Sequence, residues 1–128
     1  MKRIIATLLI IAVFGLFLSC DNGGGGGKIL ILLGATHHSA NEGTSVLYVI
    51  NMTDGTATEI GDIGYGINGL AFDVANSKLY ATTTNKDSSF PDGLIEIDMV
   101  TGAGTRIGTG AGMQVLNPTI NSSGTMFA

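Results

Sequence analysis

A repeat of 47 residues is the feature of this sequence that most restricts its fold. The segment LYVINMTDGTATEIG at residues 47–61 matches LIEIDMVTGAGTRIG at residues 94–108. The same offset relates Leu47 to Leu94, Ile50 to Ile97, Met52 to Met99, Gly55 to Gly102, Thr58 to Thr105, Gly61 to Gly108, Thr36 to Thr83 and Leu79 to Met126. Repeated sequence predicts repeated structural units, which bury their faces against one another.

Each unit contains four short segments with the pattern of β-strands. In the complete unit they are NGLAFD at 68–73, KLYATT at 78–83, LIEID at 94–98 and GTRIG at 104–108. β-Branched and aromatic residues favour strands, and the intervening Gly, Asn and Asp favour turns. No long segment carries apolar residues at helical spacing, so an all-β fold with little or no helix after the N-terminal signal is predicted.

Four strands in 47 residues match the size of one blade of a β-propeller. In the segment LYVIN, Tyr48 and Ile50 lie on one face of the strand. Leu47 and Val49 lie on the other, so both faces are apolar, as in a sheet that is covered on both sides. We therefore predict stacked four-stranded antiparallel blades, with a β-sandwich as the alternative.

The link between the third and fourth strands of each unit is predicted to be a tight turn. Gly55 and Gly102 suit the positive φ that such turns require. Asn51 and Asp98 end the preceding strands, where their side chains can accept backbone N–H groups. The pattern D-x-x-T-G at residues 98–102 is accordingly interpreted as a structural motif.

The number of strands predicts an incomplete propeller. Residues 29–128 hold three strands of one unit, four of the next and two of a third, or about two blades. A closed propeller typically has about four to eight. We expect either a truncated piece of a longer propeller or several chains assembled into one ring. Exposed blade faces and strand edges also predict self-association.

The N-terminus has the pattern of an export signal. Two basic residues precede an uncharged run from Ile4 to Leu18, whose 15 residues are fewer than the roughly 17–25 of a membrane-spanning helix. This pattern predicts a helical signal peptide. The segment LFLSC at 16–20 resembles the lipobox of bacterial lipoproteins, with Ser19 as the small residue and Cys20 as the residue that is acylated. An uncleaved anchor or an ordinary signal peptide is the alternative.

The lipobox resemblance implies a division of the chain and a location. The predicted parts are a lipoprotein signal peptide at 1–19, the lipidated Cys20 with a glycine-rich linker at 20–28, and the propeller repeats at 29–128. Several acyl chains on Cys20 suffice for stable attachment to membrane lipid. The flexible segment DNGGGGG spans about 15 Å. The expected location is the bacterial cell envelope, facing the periplasm or the outside.

The charge of the mature chain argues against nucleic acid as a partner. Removing residues 1–19 removes two basic residues and no acid, which leaves four basic and ten acidic residues and a formal charge of −6. Nucleic-acid binders need a basic surface. Nor is there a basic cluster for anionic lipid, so the membrane link is predicted to rest on Cys20.

No catalytic, cofactor-binding or metal-binding residue is predicted. His37 and His38 are adjacent, which directs them to opposite faces of a strand, and no third ligand has zinc-like spacing. The glycine runs at 61–69 and 108–114 lack the G-K-[ST] ending of a phosphate loop. The remaining candidates are interpreted as turn or loop residues: Asp54, Asp62, Asp73, Asp87, Asp92, Asp98, Ser39, Ser45 and Ser88.

The units with the pattern LYVINMTDGTATEIG…INGLAFD…KLYATT resemble the degenerate propeller repeats of secreted bacterial proteins, including the YVTN and lactonase-like and the quinoprotein-like groups. Asp98–Gly102 matches the turn of quinoprotein alcohol dehydrogenases, but the chain lacks the tryptophan that accompanies it there. The resemblance favours a binding or interaction module for an envelope protein or glycan, without a cofactor. The alternative is part of a propeller hydrolase, lactonase- or phytase/esterase-like, whose active site lies in further blades.

Overall fold

The computed structural model describes Leu16–Phe17, residues 30–36 and residues 43–127. Its strands are β1 (Leu16–Phe17), β2 (Leu30–Ala35), β3 (Val46–Ile50), β4 (Ala57–Asp62), β5 (Ile67–Asp73), β6 (Lys78–Thr83), β7 (Leu94–Ile97), β8 (Gly104–Ile107), β9 (Thr119–Ile120) and β10 (Met126–Phe127). These described residues contain no helix, which confirms the all-β prediction for them, and hence none that could cross a membrane.

The strands form antiparallel sheets in which sequential neighbours pair. The first sheet has the order β1-β2-β3-β4, the second has the order β5-β6-β7-β8, and β9 pairs with β10. Four strands were predicted for the second sheet but three for the first. The additional strand is β1, because Leu16 and Phe17 pair with Ile31 and Leu30. These two residues belong to the predicted signal helix but form a strand. The other residues of that predicted helix lie outside the described residues.

The 47-residue repeat is present in the strand pairing itself. Ile50 pairs with Ala57 in the first sheet, and Ile97 pairs with Gly104 in the second. The same correspondence relates the pairs Tyr48–Glu59 and Ile95–Arg106, and the pairs Ala35–Leu47 and Thr82–Leu94. These positions of the two copies therefore have equivalent backbone partners. An exception is Leu47, which pairs with Gly61 beyond a register shift, whereas Leu94 pairs with Ile107, the counterpart of Ile60.

The sequence also predicts that the turn after β9 is one residue shorter than the turn after β5. Phe72 pairs with Leu79, whereas Ile120 pairs with Met126. The loop thus loses one residue, and the strand pairing on either side of it is kept.

The two four-stranded sheets share one hydrophobic core, to which they contribute opposite faces. The first sheet contributes Leu33, Ala35 and Leu47, with Val49 packed against them; we call this side of a sheet the back face. The second sheet contributes Leu79, Ala81, Ile95 and Ile97, which form its front face.

The repeat identifies the two faces that do not meet in this core. The back face of the second sheet is found by adding 47 to the residue numbers of the back face of the first. It carries Tyr80, Thr82, Leu94 and Glu96. In the same way, subtracting 47 from the front-face residues of the second sheet gives the front face of the first, which carries Leu32, Gly34, Tyr48 and Ile50. None of these eight belongs to the shared core. The packing is therefore head to tail, back face on front face.

β5 is the strand most completely enclosed, since all seven of its residues are buried. Ile67, Leu70 and Phe72 point into the shared core. On the opposite side, the backbone of residues 116 and 117 and the ring of Pro118 lie so close to Gly69 that a side chain at this glycine would collide with them. The start of the third unit thus covers β5, the edge strand of the second sheet.

Candidate functional site

The long loop between β6 and β7, residues 84–93, is organised around one carboxylate. Asp87 accepts hydrogen bonds from the N–H groups of Ser89 at 2.9 Å and Phe90 at 2.8 Å, and from the Ser89 hydroxyl at 2.8 Å. Its other oxygen accepts the N–H of Gly66 at 2.8 Å. The loop is therefore attached to the link between the two sheets.

These donors also determine the charge state of Asp87. Burial raises the pKa of Asp87, but the N–H groups of Gly66, Phe90 and Ser89 and the Ser89 hydroxyl lower it more, so the net shift is downward. Hydrogen bonds to the ionised carboxylate favour that form. Asp87 is thus a structural anion, with both oxygens in use.

A second polar network holds the link between β4 and β5. Ser45 donates its N–H to the carbonyl of Tyr65 at 2.9 Å, and its carbonyl accepts the N–H of Ile63 at 2.8 Å. Its hydroxyl oxygen accepts the N–H of Ile67 at 3.1 Å. Ser45 is fully buried. Ser45 therefore joins the start of β3 to the link between the two sheets.

An exposed arginine lies over two aromatic rings beside the loop. The Arg106 guanidinium carbon is 5.0 Å from the ring centre of Phe90 and 5.7 Å from that of Tyr65. The rings meet edge to face, with centres 6.4 Å apart. Arg106 donates Nε–H to the Tyr65 hydroxyl at 3.2 Å and Nη2–H to the Ser89 carbonyl at 2.8 Å.

This arrangement, formed by Tyr65, Ser89, Phe90 and Arg106, is named the arginine site. Cation–π contact and two hydrogen bonds orient the guanidinium while it stays exposed to solvent. A guanidinium has five N–H donors, and its fork suits carboxylate or phosphate oxygens. Sequence reasoning missed the site; the available signal was that Arg106 is the only arginine after residue 19.

Asp54 and Asp98 lie in turns as predicted, whereas Asp62 and Asp73 are the last residues of β4 and β5. The carboxylates of all four accept hydrogen bonds from the adjoining segments. The Thr101 N–H, followed by that of Val100, holds the pKa of Asp98 below its ordinary value. Thr56 and Asn76 do the same for the pKa values of Asp54 and Asp73. Asp62 accepts the Thr44 hydroxyl at 2.6 Å and the Gly64 N–H at 2.6 Å.

Asp92 differs from the other acids. Its Oδ1 atom is buried and has no hydrogen-bond partner in the part of the chain that the structure describes, and its backbone has a φ of 51°. Among the described residues, no group of three or more His, Cys, Asp or Glu is placed to hold a metal ion.

The two glycine runs lie in the links that follow the fourth strand of each sheet. Residues 61–69 contain the end of β4, the link and the start of β5, where Gly64 has a φ of 79°. Residues 108–114 follow β8, and Gly108, Gly110 and Gly112 have positive φ. Ser88 is an exposed loop residue.

Four of the predicted residues lie outside the described residues: Cys20, His37, His38 and Ser39. Comparison of the chain with protein-family models, with curated proteins and with solved structures found no match. The lipobox and propeller resemblances therefore stay predictions, and any function has to be argued from the motifs and the geometry described above.

Proposed function

We propose that this chain is a bacterial envelope lipoprotein, attached to membrane lipid through Cys20, whose sheets are successive blades of a propeller-type binding module. The observation that carries the module is the head-to-tail packing of two equivalent sheets. The attachment is supported by the sequence of residues 1–28. Cleavage before Cys20 removes β1 and leaves β2, β3 and β4 as the first sheet of the mature chain.

Head-to-tail packing favours a propeller over a sandwich of two related copies. If the two sheets were related by a two-fold axis, each would bury the same face, because a two-fold contact uses the same surface of both partners. Here, Leu47 is fully buried on the back face and Leu79 on the front face, and their counterparts Leu94 and Leu32 are only half-buried. A back-to-front contact can be repeated around an axis, as blades are.

The arginine site is the binding surface that we assign to the module. It lies beside the 84–93 loop, and loops on a rigid scaffold commonly carry function. Arg106 is held before any ligand arrives, so little side-chain entropy is lost on binding. The guanidinium fork favours a partner that carries carboxylates, such as an acidic glycan or an acidic segment of an envelope protein.

Lipid attachment is tested by metabolic labelling with an alkyne analogue of palmitate. The wild-type chain should be labelled, and Cys20→Ala should carry no label because it lacks the sulfur. Ser88→Ala, an exposed loop hydroxyl, is the control and should be labelled like the wild type. An unlabelled wild-type chain would refute the anchor.

Binding is tested separately, by titrating the full chain in detergent micelles with polygalacturonate and with neutral dextran in a calorimeter. Heat should be released with the acidic polymer, and Arg106→Gln should lower the affinity at least tenfold. Lys86→Gln, which removes an exposed cation of the same loop, is the matched control and should bind nearly as wild type. Equal loss in both variants would mean that net charge alone attracts the polymer.

A further inference from the structure

β2 pairs with β3 along one edge and with β1 along the other. The Thr36 N–H donates to the Val46 carbonyl at 3.1 Å, so position 36 faces β3. Backbone groups alternate in direction along an antiparallel strand. Ile31, Leu33 and Ala35 therefore direct their N–H and carbonyl groups to the side of β1, which we call the outer edge of β2.

The repeat shows what a complete strand at this edge is like. In the second sheet, the equivalent three residues of β6 pair with β5: Lys78 with Asp73, Tyr80 with Ala71, and Thr82 with Gly69. β5 is seven residues long and entirely buried. In the first sheet, Leu16 of β1 pairs with Ile31 and so takes the position of Asp73, the last residue of β5. Among the described residues, no strand pairs with Leu33 or Ala35 on this side.

The proposed cleavage before Cys20 opens the outer edge. It removes β1 and with it the pairing of Leu16 and Phe17 with β2. Within the part of the chain that the structure describes, β2 then has a strand partner only on the β3 side. The side chains of Leu33 and Ala35 nevertheless lie in the shared core, so the edge is held in place by the second sheet. An unpaired strand edge of this kind is a template for another strand.

From these observations, and from the proposed lipoprotein processing on which this step rests, we infer that the outer edge of β2 in the mature chain binds an extended apolar segment of a partner polypeptide by strand addition. The added strand runs antiparallel to β2, as β1 does beside β2 and β5 beside β6. β1 shows that the edge accepts a strand, and β5 shows the length and apolar character of one that fills it. Main-chain hydrogen bonds give such additions their affinity, and side-chain positions give them specificity.

One position of the added strand is expected to require glycine. In the second sheet, Gly69 stands beside Thr82, and a side chain at this glycine would collide with Leu116 and Asn117 of the next unit. The equivalent position in the first sheet is beside Ala35, on the back face that packs against the second sheet. A partner segment with a larger residue at this position should therefore not fit.

The test uses the lipidated wild-type chain in detergent micelles and a fluorescent peptide with the sequence of β5, INGLAFD. Fluorescence anisotropy measures the binding, and the mature chain should bind the peptide. Replacing the glycine of the peptide by leucine should abolish binding.

Two methylated peptides of identical composition show whether main-chain pairing is responsible. Methylating the nitrogen that corresponds to Ala71, which pairs with Tyr80 in the second sheet, removes an N–H that points to the neighbouring strand. This change should weaken binding at least about tenfold. Methylating the nitrogen that corresponds to Leu70, whose N–H points away, is the matched control and should leave the affinity nearly unchanged.

Amide hydrogen exchange followed by NMR locates the bound peptide. The exchange of the Leu33 and Ala35 N–H groups should become slower when the peptide binds. That of Tyr80 should stay the same, because β5 already pairs with this residue. Unchanged exchange at Leu33 and Ala35 would contradict binding at the outer edge.

The intact mass of the purified chain separates this inference from the lipoprotein proposal. A wild-type chain that retains residues 1–19 would refute the attachment, and the edge would not open. A chain that is cleaved before Cys20 but does not bind INGLAFD, or binds both methylated peptides equally well, would overturn the strand addition alone.

Discussion

The first and second sheets share most of their strand pairing but have different surroundings. Leu47 and Leu94 occupy equivalent positions, yet Leu47 is fully buried and Leu94 is half-buried. Leu79 and Leu32 show the opposite order, with the copy from the second sheet buried. The difference teaches that the repeat specifies strands and turns, while the position of a sheet relative to its neighbour decides which of its faces joins the shared core.

The two sheets also differ in the hydrogen bonds that hold the link after their last strand. In the first, the Ser45 hydroxyl accepts the N–H of Ile67 at the start of β5. Asp92 occupies the equivalent position in the second, where its carbonyl accepts the N–H of Ala111 at 2.7 Å. Its Oδ1 atom has no hydrogen-bond partner among the described residues. Among the described residues, the side-chain oxygen at this position accepts a hydrogen bond only in the first copy, where β5 of the next sheet begins directly beside it.

The largest effect is expected from paired leucine substitutions. Leu47→Ala should lower the free energy of unfolding by about 3 kcal/mol, because it leaves a cavity in the core, and Leu94→Ala by about 1 kcal/mol. For the other face the order should reverse, with Leu79→Ala costing more than Leu32→Ala. Urea unfolding followed by circular dichroism measures all four. The head-to-tail packing would be wrong if the same sheet gave the larger loss in both pairs, that is, Leu47→Ala and Leu32→Ala, or Leu94→Ala and Leu79→Ala.

The next effect comes from the turn glycines. Gly55 and Gly102 have φ values of 75° and 84°, so alanine strains the backbone at both. Only at Gly102 would the added carbon also collide with Gly61. Gly55→Ala should cost about 1 kcal/mol, and Gly102→Ala about 2–3 kcal/mol because of the additional overlap. Thermal unfolding compares them; equal losses would mean that Gly102 has space around it.

A smaller effect concerns acid stability. The folded-state pKa of Asp87 is lowered, so its contribution to stability is complete above the unfolded value, about 3.9, and is lost as pH falls through the folded value. Asp87→Asn should therefore reduce the loss of stability below about pH 4. The slope of unfolding free energy against pH checks this; an unchanged slope would contradict the ion's role in the loop.

The smallest effect is expected at an ion pair on the back face of the second sheet. Lys78 lies 2.8 Å from Glu96, and both side chains are well exposed. Exposed ion pairs contribute little because water and salt screen them. Lys78→Ala should shift the melting temperature less than any substitution above, with little dependence on salt. A large shift that added salt does not reduce would indicate that this face is covered.

Local features followed closely from the sequence. The segment KLYATT was predicted as a strand and forms β6 with the same bounds, Lys78–Thr83. Asn51 and Asp98 were predicted to accept N–H groups of their turns, and they do, from Thr53 and from Val100 and Thr101. These interactions involve residues within a few positions of one another, so the sequence contains the whole pattern.

Longer-range features did not follow. The pairing of Leu16–Phe17 with β2 joins residues on either side of the glycine run, and no alternation in so short a segment indicates it. The arginine site joins Tyr65 to Arg106, which are 41 positions apart. Nothing in the pattern of either segment shows that the two side chains meet.

The sequence by itself determined the all-β class, the 47-residue unit and the residues that close its turns, because strand propensity, turn chemistry and repetition are local properties. Only the tertiary structure decided which face of each sheet is buried and where Arg106 lies. Both faces of β3 are apolar, so hydrophobic pattern alone does not choose between them. That choice depends on the free energy of packing one whole sheet against the next.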